Sequence, residues 1–365
     1  MPAVTQTEMM AGVLKGPLDI RVEKIPVFSI SPGQILIEIK ACGICGSDIR
    51  YFHGENPWAL HTLGVERPNP PNIVIGHEYA GKVVRVASDR DKPLLNKNVA
   101  VVCFRTCGRC DDCKRGNDQL CKTTQHIGHG AGWGTMDYYP GAMANFCIGW
   151  GDLAFPVPDD FPMEEAAMMD VIAVGVHAAR QGGVRPGADV TILGAGPIGS
   201  AIQQAAFALG ARRVFISDIY DRALEIANAC GATRTIHSAK EPVVGIVREE
   251  TGGRGADHVF DTVGTEKTFH DSLDLLAPAG TLVNMAVHGE TLSFKGTAIG
   301  SERCVKTSCN FKVDDFKLGL EWLLQGKLTV KPWITHRVSL PDLPKSIRML
   351  EEKEKHGAFK IVVRP

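Results

Sequence analysis

The feature that most constrains this chain is a short apolar run that ends in spaced glycines. Val190, Thr191, Ile192 and Leu193 read as a buried strand, and residues 198–209 read as an Ala-rich helix. Between them lie Gly194, Ala195, Gly196, Pro197, Ile198 and Gly199, which is G-x-G-x-x-G in the setting a dinucleotide fingerprint requires. Gly194 permits the tight turn. Gly196 lets the backbone approach a pyrophosphate at the helix N-terminus, where free N–H groups and the helix dipole favour an anion. Gly199 lets the helix pack closely on the strand. A second strand, 214–217, ends at Asp218, on the order of twenty residues beyond the glycines. A carboxylate there accepts both ribose hydroxyls and repels a 2′-phosphate, so NAD is favoured over NADP. Arg222 follows, where it can flank the adenine or weaken that discrimination.

Around this unit, apolar strands alternate with helical stretches: helix 222–229, then strands 259–261 and 281–285. Such alternation implies a doubly wound parallel sheet, the Rossmann arrangement. Earlier in the chain the texture differs. Ile35, Ile37 and Ile39 alternate with Leu36, Glu38 and Lys40, a strand period, and residues 41–160 are rich in Gly, Pro and Cys. That predicts an irregular, mostly β domain. Beyond about residue 305 the texture is mixed again, with helices at 316–324 and 343–352 and a strand at 360–363. A length of 365 residues suits two domains, one inserted into the other.

Composition removes several function classes. The 40 basic and 41 acidic residues nearly cancel, whereas nucleic acid and anionic membranes call for a basic excess. No apolar run is long enough for a membrane span, and no secretory signal is visible. The cysteine count of 11 is odd and mostly clustered, which fits metal binding in a reducing cytoplasm better than a disulfide framework.

Two constellations carry metal-binding residues. Cys107, Cys110, Cys113 and Cys121 read C-x2-C-x2-C-x7-C. One loop can fold such spacings around a tetrahedral ion, and four thiolates with no open position make a structural zinc site. The other is dispersed: Cys45 within Cys42-Gly43-Ile44-Cys45-Gly46-Ser47-Asp48, and His77 with Glu78 in Gly76-His77-Glu78. Cys45 and His77 are ligand types suited to zinc, with Glu78 an optional oxygen ligand.

These motifs, with the stretch 330–337, resemble the medium-chain zinc-dependent alcohol dehydrogenase family and its sorbitol, threonine and sugar dehydrogenase branch, over nearly the whole chain. The resemblance implies a GroES-like, mostly β catalytic domain (residues 1–167 with 305–365) and an inserted Rossmann domain (168–304) that binds NAD. It implies one catalytic and one structural zinc per chain. Cys45 and His77 would hold the catalytic ion, with Glu78 direct or through water and Asp170 as a further acidic ligand. Asp48 resembles the carboxylate that orients a ligating histidine. Ser47 is the implied first proton acceptor, and Arg50 stands where many relatives have a relay histidine, so the proton leaves by ribose and water or through His53. Tyr51 matches a pocket aromatic; Trp58 and Trp133 lie on loops 55–72 and 126–139, whose aromatic and polar groups suit a hydroxylated ring.

The expected reaction is oxidation of a secondary alcohol of sugar, polyol or cyclitol type to a ketone, or the reverse. Two alternatives stand beside it. One is the same machinery acting on an amino alcohol, a hydroxy amino acid or a small alcohol or aldehyde; the other is a protein that binds NAD and zinc without catalysis. The expected partners are a small hydroxylated substrate and identical copies in a homodimer or homotetramer.

Overall fold

The computed structural model describes residues 6–286 and 291–365. It falls into two compact units: Met1–Asp170 with Ile334–Pro365, and Val171–Trp333. The inserted unit therefore ends at Trp333, and the expected return near residue 305 is corrected. The physical reason is pairing. The strand Cys304–Thr307 adds in parallel to Leu276–Asn284, and helix Val313–Leu324 is tied to helix Met169–Gly182 through Asp315, which accepts from His177 at 2.6 Å and Arg180 at 2.5 Å. Trp333 closes the unit by donating from Nε1 to Ser200 Oγ at 2.8 Å.

The first unit is built on a seven-stranded sheet. Its centre is strand Gln34–Gly43, antiparallel to Glu78–Val86 and, over its first half, to Phe146–Trp150. Ile35, Ile37 and Ile39 are buried, and Leu36 is buried too, so this strand is covered on both faces. Strand Lys360–Arg364 pairs antiparallel with the far end of Gln34–Gly43, with Val363 opposite Cys42 and Val362 opposite Gly43. That pairing brings the last strand of the chain against the segment that carries Cys45. A three-stranded sheet, Asp19–Pro26 with Glu8–Gly16 and Ile73–Val74, completes the β structure together with the short pair Phe104–Arg105 and Gln125–His126.

The second unit is a six-stranded, all-parallel sheet. Its spatial order is Arg234–His237, Arg213–Asp218, Asp189–Leu193, Ala256–Asp261, Leu276–Asn284, Cys304–Thr307. In chain order this is 3-2-1-4-5-6, the Rossmann order, which reverses direction beside Asp189–Leu193. The strands are continuous apolar runs, Val190, Ile192, Phe215, Val259 and Leu282 among them, because a parallel sheet is buried on both faces. Among the described residues, no helix is long and apolar enough to cross a membrane.

Candidate active site

In the first unit the chain leaves strand Gln34–Gly43 and turns at Cys45 into helix Gly46–Phe52. Asp48, fully buried, sets that turn: its Oδ2 accepts from the Cys45 N–H at 2.8 Å. Its Oδ1 accepts from the Gly76 N–H at 3.3 Å and lies 3.7 Å from His77 Nδ1. One carboxylate thus ties the Cys45 turn to the His77 segment. Gly76 must be glycine: its φ is +94°, and a Cβ would meet Met143 Cγ at 2.6 Å and Cys42 Sγ at 2.8 Å. A Cβ on Gly43 would meet Glu78 Oε2 at 2.3 Å, so that glycine makes room for the carboxylate.

The result is convergence. The ligand atoms of Cys45, His77 and Glu78 all lie within 4.8 Å of one another. His77 Nδ1 is buried and makes no hydrogen bond. Burial alone would pull the His77 pKa down, but the Cys45 sulfur and the Asp48 carboxylate outweigh it and hold it up at about 10. A buried imidazole that favours a positive charge this strongly marks a pocket with surplus anionic donors. Sulfur, imidazole and carboxylate in one group fit zinc.

Glu78 does not stand alone. Buried Lys360 lies 2.6 Å from its Oε1 and 2.5 Å from its Oε2, and also donates to the Ile44 carbonyl at 3.1 Å. Sequence reasoning missed Lys360; a lone charge in the apolar run Lys360-Ile361-Val362-Val363 was the available signal. Ser47 Oγ is buried without a hydrogen-bond partner. Asp170 is placed differently from the three donors. It is outside their group among the described residues, and its Oδ1 accepts from the Cys103 thiol at 3.1 Å. Burial raises the Asp170 pKa against the opposing pull of His77.

The pocket aromatics divide. Tyr51 is fully buried and stacks on His129 at 4.7 Å. Trp58 is half-buried, with its backbone N–H 3.4 Å from the Tyr51 hydroxyl. Trp133 spends its indole N–H on the His126 carbonyl at 2.8 Å and stacks on Trp150 at 5.9 Å, so it braces the loop. Arg50 pairs with Glu55 at 2.7 Å, and His53 is taken up by Glu351. His53 Nε2 is thus engaged by a carboxylate on the surface.

The four-cysteine loop gathers as expected from its spacing. The sulfurs of Cys107, Cys110, Cys113 and Cys121 all lie within 4.8 Å of one another. The Arg109 N–H, the Thr123 hydroxyl and the Cys110 N–H hold the Cys107 pKa down at about 5, near the thiolate form a metal ligand needs.

In the second unit, Gly194 has φ +96°, and a Cβ there would meet Thr262 Oγ1 at 2.2 Å. A Cβ on Gly199 would meet the Gly194 carbonyl at 1.9 Å, whereas Gly196 faces open space, as an approach by pyrophosphate requires. Gly196 caps helix Pro197–Ala208, Pro197 occupies its first turn, and Ile198 is half-buried behind it. Asp218 ends its strand and accepts from the Ala195 N–H at 2.8 Å and the Ile219 N–H at 2.7 Å. Arg222 points to Glu225 at 3.0 Å, an exposed pair.

A zinc-suited donor group beside an unpaired serine hydroxyl, on a chain that also carries a dinucleotide sheet, defines a zinc- and nicotinamide-dependent dehydrogenase. Known proteins agree. Residues 31–159 match the alcohol dehydrogenase GroES-like domain and residues 197–325 the zinc-binding dehydrogenase domain. D-xylulose reductase A of Aspergillus oryzae is 31% identical over 336 residues, 90% of each chain. Sorbitol dehydrogenase of Bacillus subtilis is 28% identical over 359 residues, 98% of this chain and 97% of that one. A solved oxidoreductase of unknown specificity from Escherichia coli matches with a TM-score of 0.88 at 26% identity, over 98% of this chain and 99% of that one. The chain belongs to the medium-chain zinc-dependent alcohol dehydrogenase family, in its sorbitol and sugar dehydrogenase branch. It is an oxidoreductase of CH–OH groups with zinc and NAD as cofactors.

Proposed function

We propose that the chain oxidises a secondary hydroxyl of a sugar, sugar alcohol or cyclitol to a ketone with NAD, or runs the reverse. The observation that carries this reading is the Cys45, His77 and Glu78 donor group with the unpaired Ser47 hydroxyl next to it in the chain. The polyhydroxylated substrate class is supported by the sorbitol dehydrogenase and xylulose reductase relatives. When bound, zinc supplies Lewis acidity toward the reacting oxygen, and NAD supplies the hydride acceptor. Cys45 and His77 hold the metal in this reading. Glu78 is the carboxylate grouped with them, and Asp170, hydrogen-bonded to the Cys103 thiol, is the further acidic candidate. Asp48 orients His77, and Lys360 fixes the Glu78 carboxylate. Ser47 Oγ receives the proton of the reacting hydroxyl. Arg50 cannot relay it further as a neutral base; the ribose of a bound cofactor and water would offer the exit.

Cys107, Cys110, Cys113 and Cys121 would hold a second, structural zinc. The acid Asp218 selects NAD. A reducing cytoplasm is supported by the clustering of cysteines as metal donors rather than as a disulfide framework. A homodimer or homotetramer is supported by the edge strand Cys304–Thr307 with Val305 exposed, an unpaired border that association can cover.

The test is NADH formation across sugars, polyols, cyclitols, L-threonine and simple alcohols, by wild type and Cys45→Ser in parallel with zinc analysis. The expected outcome is turnover of one hydroxylated class, lost by at least ~100-fold in the variant together with one of two zincs. Turnover of threonine alone would replace the substrate class. No turnover in either direction would remove the catalytic reading.

A further inference from the structure

Beside His77 sits an imidazole whose two nitrogens the chain leaves unused. His129 is 8% exposed, and both its Nδ1 and Nε2 are buried without a hydrogen-bond partner. Its ring is packed between Tyr51, 4.7 Å away, and His126, 3.9 Å away, and meets His77 edge-on at 4.6 Å. The neighbouring His126 is the contrast. Its Nδ1 lies 2.8 Å from the Ile127 carbonyl and its Nε2 3.8 Å from the Cys103 sulfur.

The position of His129 is held by backbone. The Ile127 N–H donates to the Cys103 carbonyl at 2.8 Å and the Gly128 N–H to the Pro140 carbonyl at 2.7 Å. Gly128, at φ +80°, lies so close to Gly76 that a Cβ would meet the Gly76 carbonyl at 2.6 Å. The loop is therefore seated directly against the segment that carries His77. A neutral imidazole offers one N–H donor and one acceptor nitrogen, and buried polar groups of this kind are nearly always paired. His129 lies outside the two groups of candidate metal donors among the described residues.

We propose that His129 is a specificity-determining residue that binds a hydroxyl of the substrate other than the one oxidised, with that hydroxyl bonded to one ring nitrogen, as acceptor from its N–H or as donor to its lone pair. This rests on the reading of the site as an oxidiser of polyhydroxylated molecules and deepens it: a second hydroxyl is what the pocket is built to require. A site built to bond a hydroxyl discriminates strongly against analogues that lack it, because its own buried groups are then left unpaired.

The test compares sorbitol, xylitol and myo-inositol with cyclohexanol and 2-butanol, which carry one hydroxyl each, on zinc-loaded enzyme with NAD. For the polyol that wild type accepts, His129→Leu is expected to lower the ratio of kcat/KM, polyol over monohydroxy alcohol, by about 100-fold. The loss is carried mainly by KM. His129→Asn, which keeps a donor and an acceptor, recovers roughly 10-fold of it. Zinc content reports folding of each variant. Nitrogen-15 signals of the His129 ring in the wild-type enzyme are independent of any variant: they shift on adding the accepted polyol and stay in place with cyclohexanol. An unchanged ratio in zinc-loaded His129→Leu, or ring signals unmoved by a polyol that turns over, overturns the role of His129 and leaves the function standing. Wild type that turns over monohydroxy alcohols only overturns both.

Discussion

Lys360 and Glu78 form an ion pair with side chains 3% and 1% exposed. Such a pair gains little over packed apolar groups, yet removing one partner strands a buried charge. Lys360→Met is therefore expected to destabilise the protein by about 3–5 kcal/mol in denaturant unfolding. Adding Glu78→Gln to that variant recovers most of the loss. Equal stability of wild type and Lys360→Met would mean that Glu78 draws its compensation elsewhere. Burial pulls the Lys360 pKa down, but Glu78 and the Cys45 sulfur outweigh it and hold it above the ordinary lysine value. A raised basic pKa contributes stability in full below the unfolded value, about 10, and loses it only as pH rises through the folded one. The pair is thus constant around neutrality. At this scale the sequence was readable where a residue type is itself diagnostic, as with Cys45, His77 and the loop cysteines. It was silent on Lys360 and His129, because a lysine or histidine becomes informative only once its burial and partners are known.

Helix Val313–Leu324 was expected outside the cofactor unit, and Asp315 shows why it lies inside. That carboxylate, 1% exposed, accepts from His177 and Arg180 and caps its own helix by accepting from the Lys312 N–H at 3.0 Å. Burial raises its pKa, but the bonds from His177 and the Lys312 N–H, with Arg180 nearby, outweigh this and leave it lowered. A lowered acidic pKa contributes stability above the unfolded value, about 4, that is lost as pH falls through the folded one. Asp315→Asn should cost roughly 1–3 kcal/mol at neutral pH. Thermal melts taken from neutral pH into the acid range should fall less steeply for the variant than for wild type. Parallel curves would assign the acid loss to other carboxylates. Elements with a strong local pattern, such as strand Asp189–Leu193 and helix Pro197–Ala208, were legible because period and glycine spacing are local. The allegiance of Cys304–Thr307 was not, since a four-residue strand declares its sheet only by pairing with Leu276–Asn284.

At the scale of the whole molecule, two constellations of very different reach among the described residues suit zinc. The four-cysteine loop spans residues 107–121 and closes on itself. Cys110→Ser should leave one zinc per chain instead of two, and the melting temperature should drop by about 2–4 °C for each kcal/mol of lost metal binding. Two zincs with an unchanged melt would remove the structural role. The sequence by itself determined the dinucleotide turn and this loop, because their chemistry depends on spacings within one short segment, where chain geometry leaves few alternatives. It also supplied Cys45, His77 and Glu78 as candidates. Only the tertiary structure decided that these three meet, that Lys360 joins them from the last strand, and that His129 meets His77 edge-on with both nitrogens unpaired. Those facts follow from long-range strand register, such as Val363 opposite Cys42, and register is set by the burial of whole sheets that no local window contains.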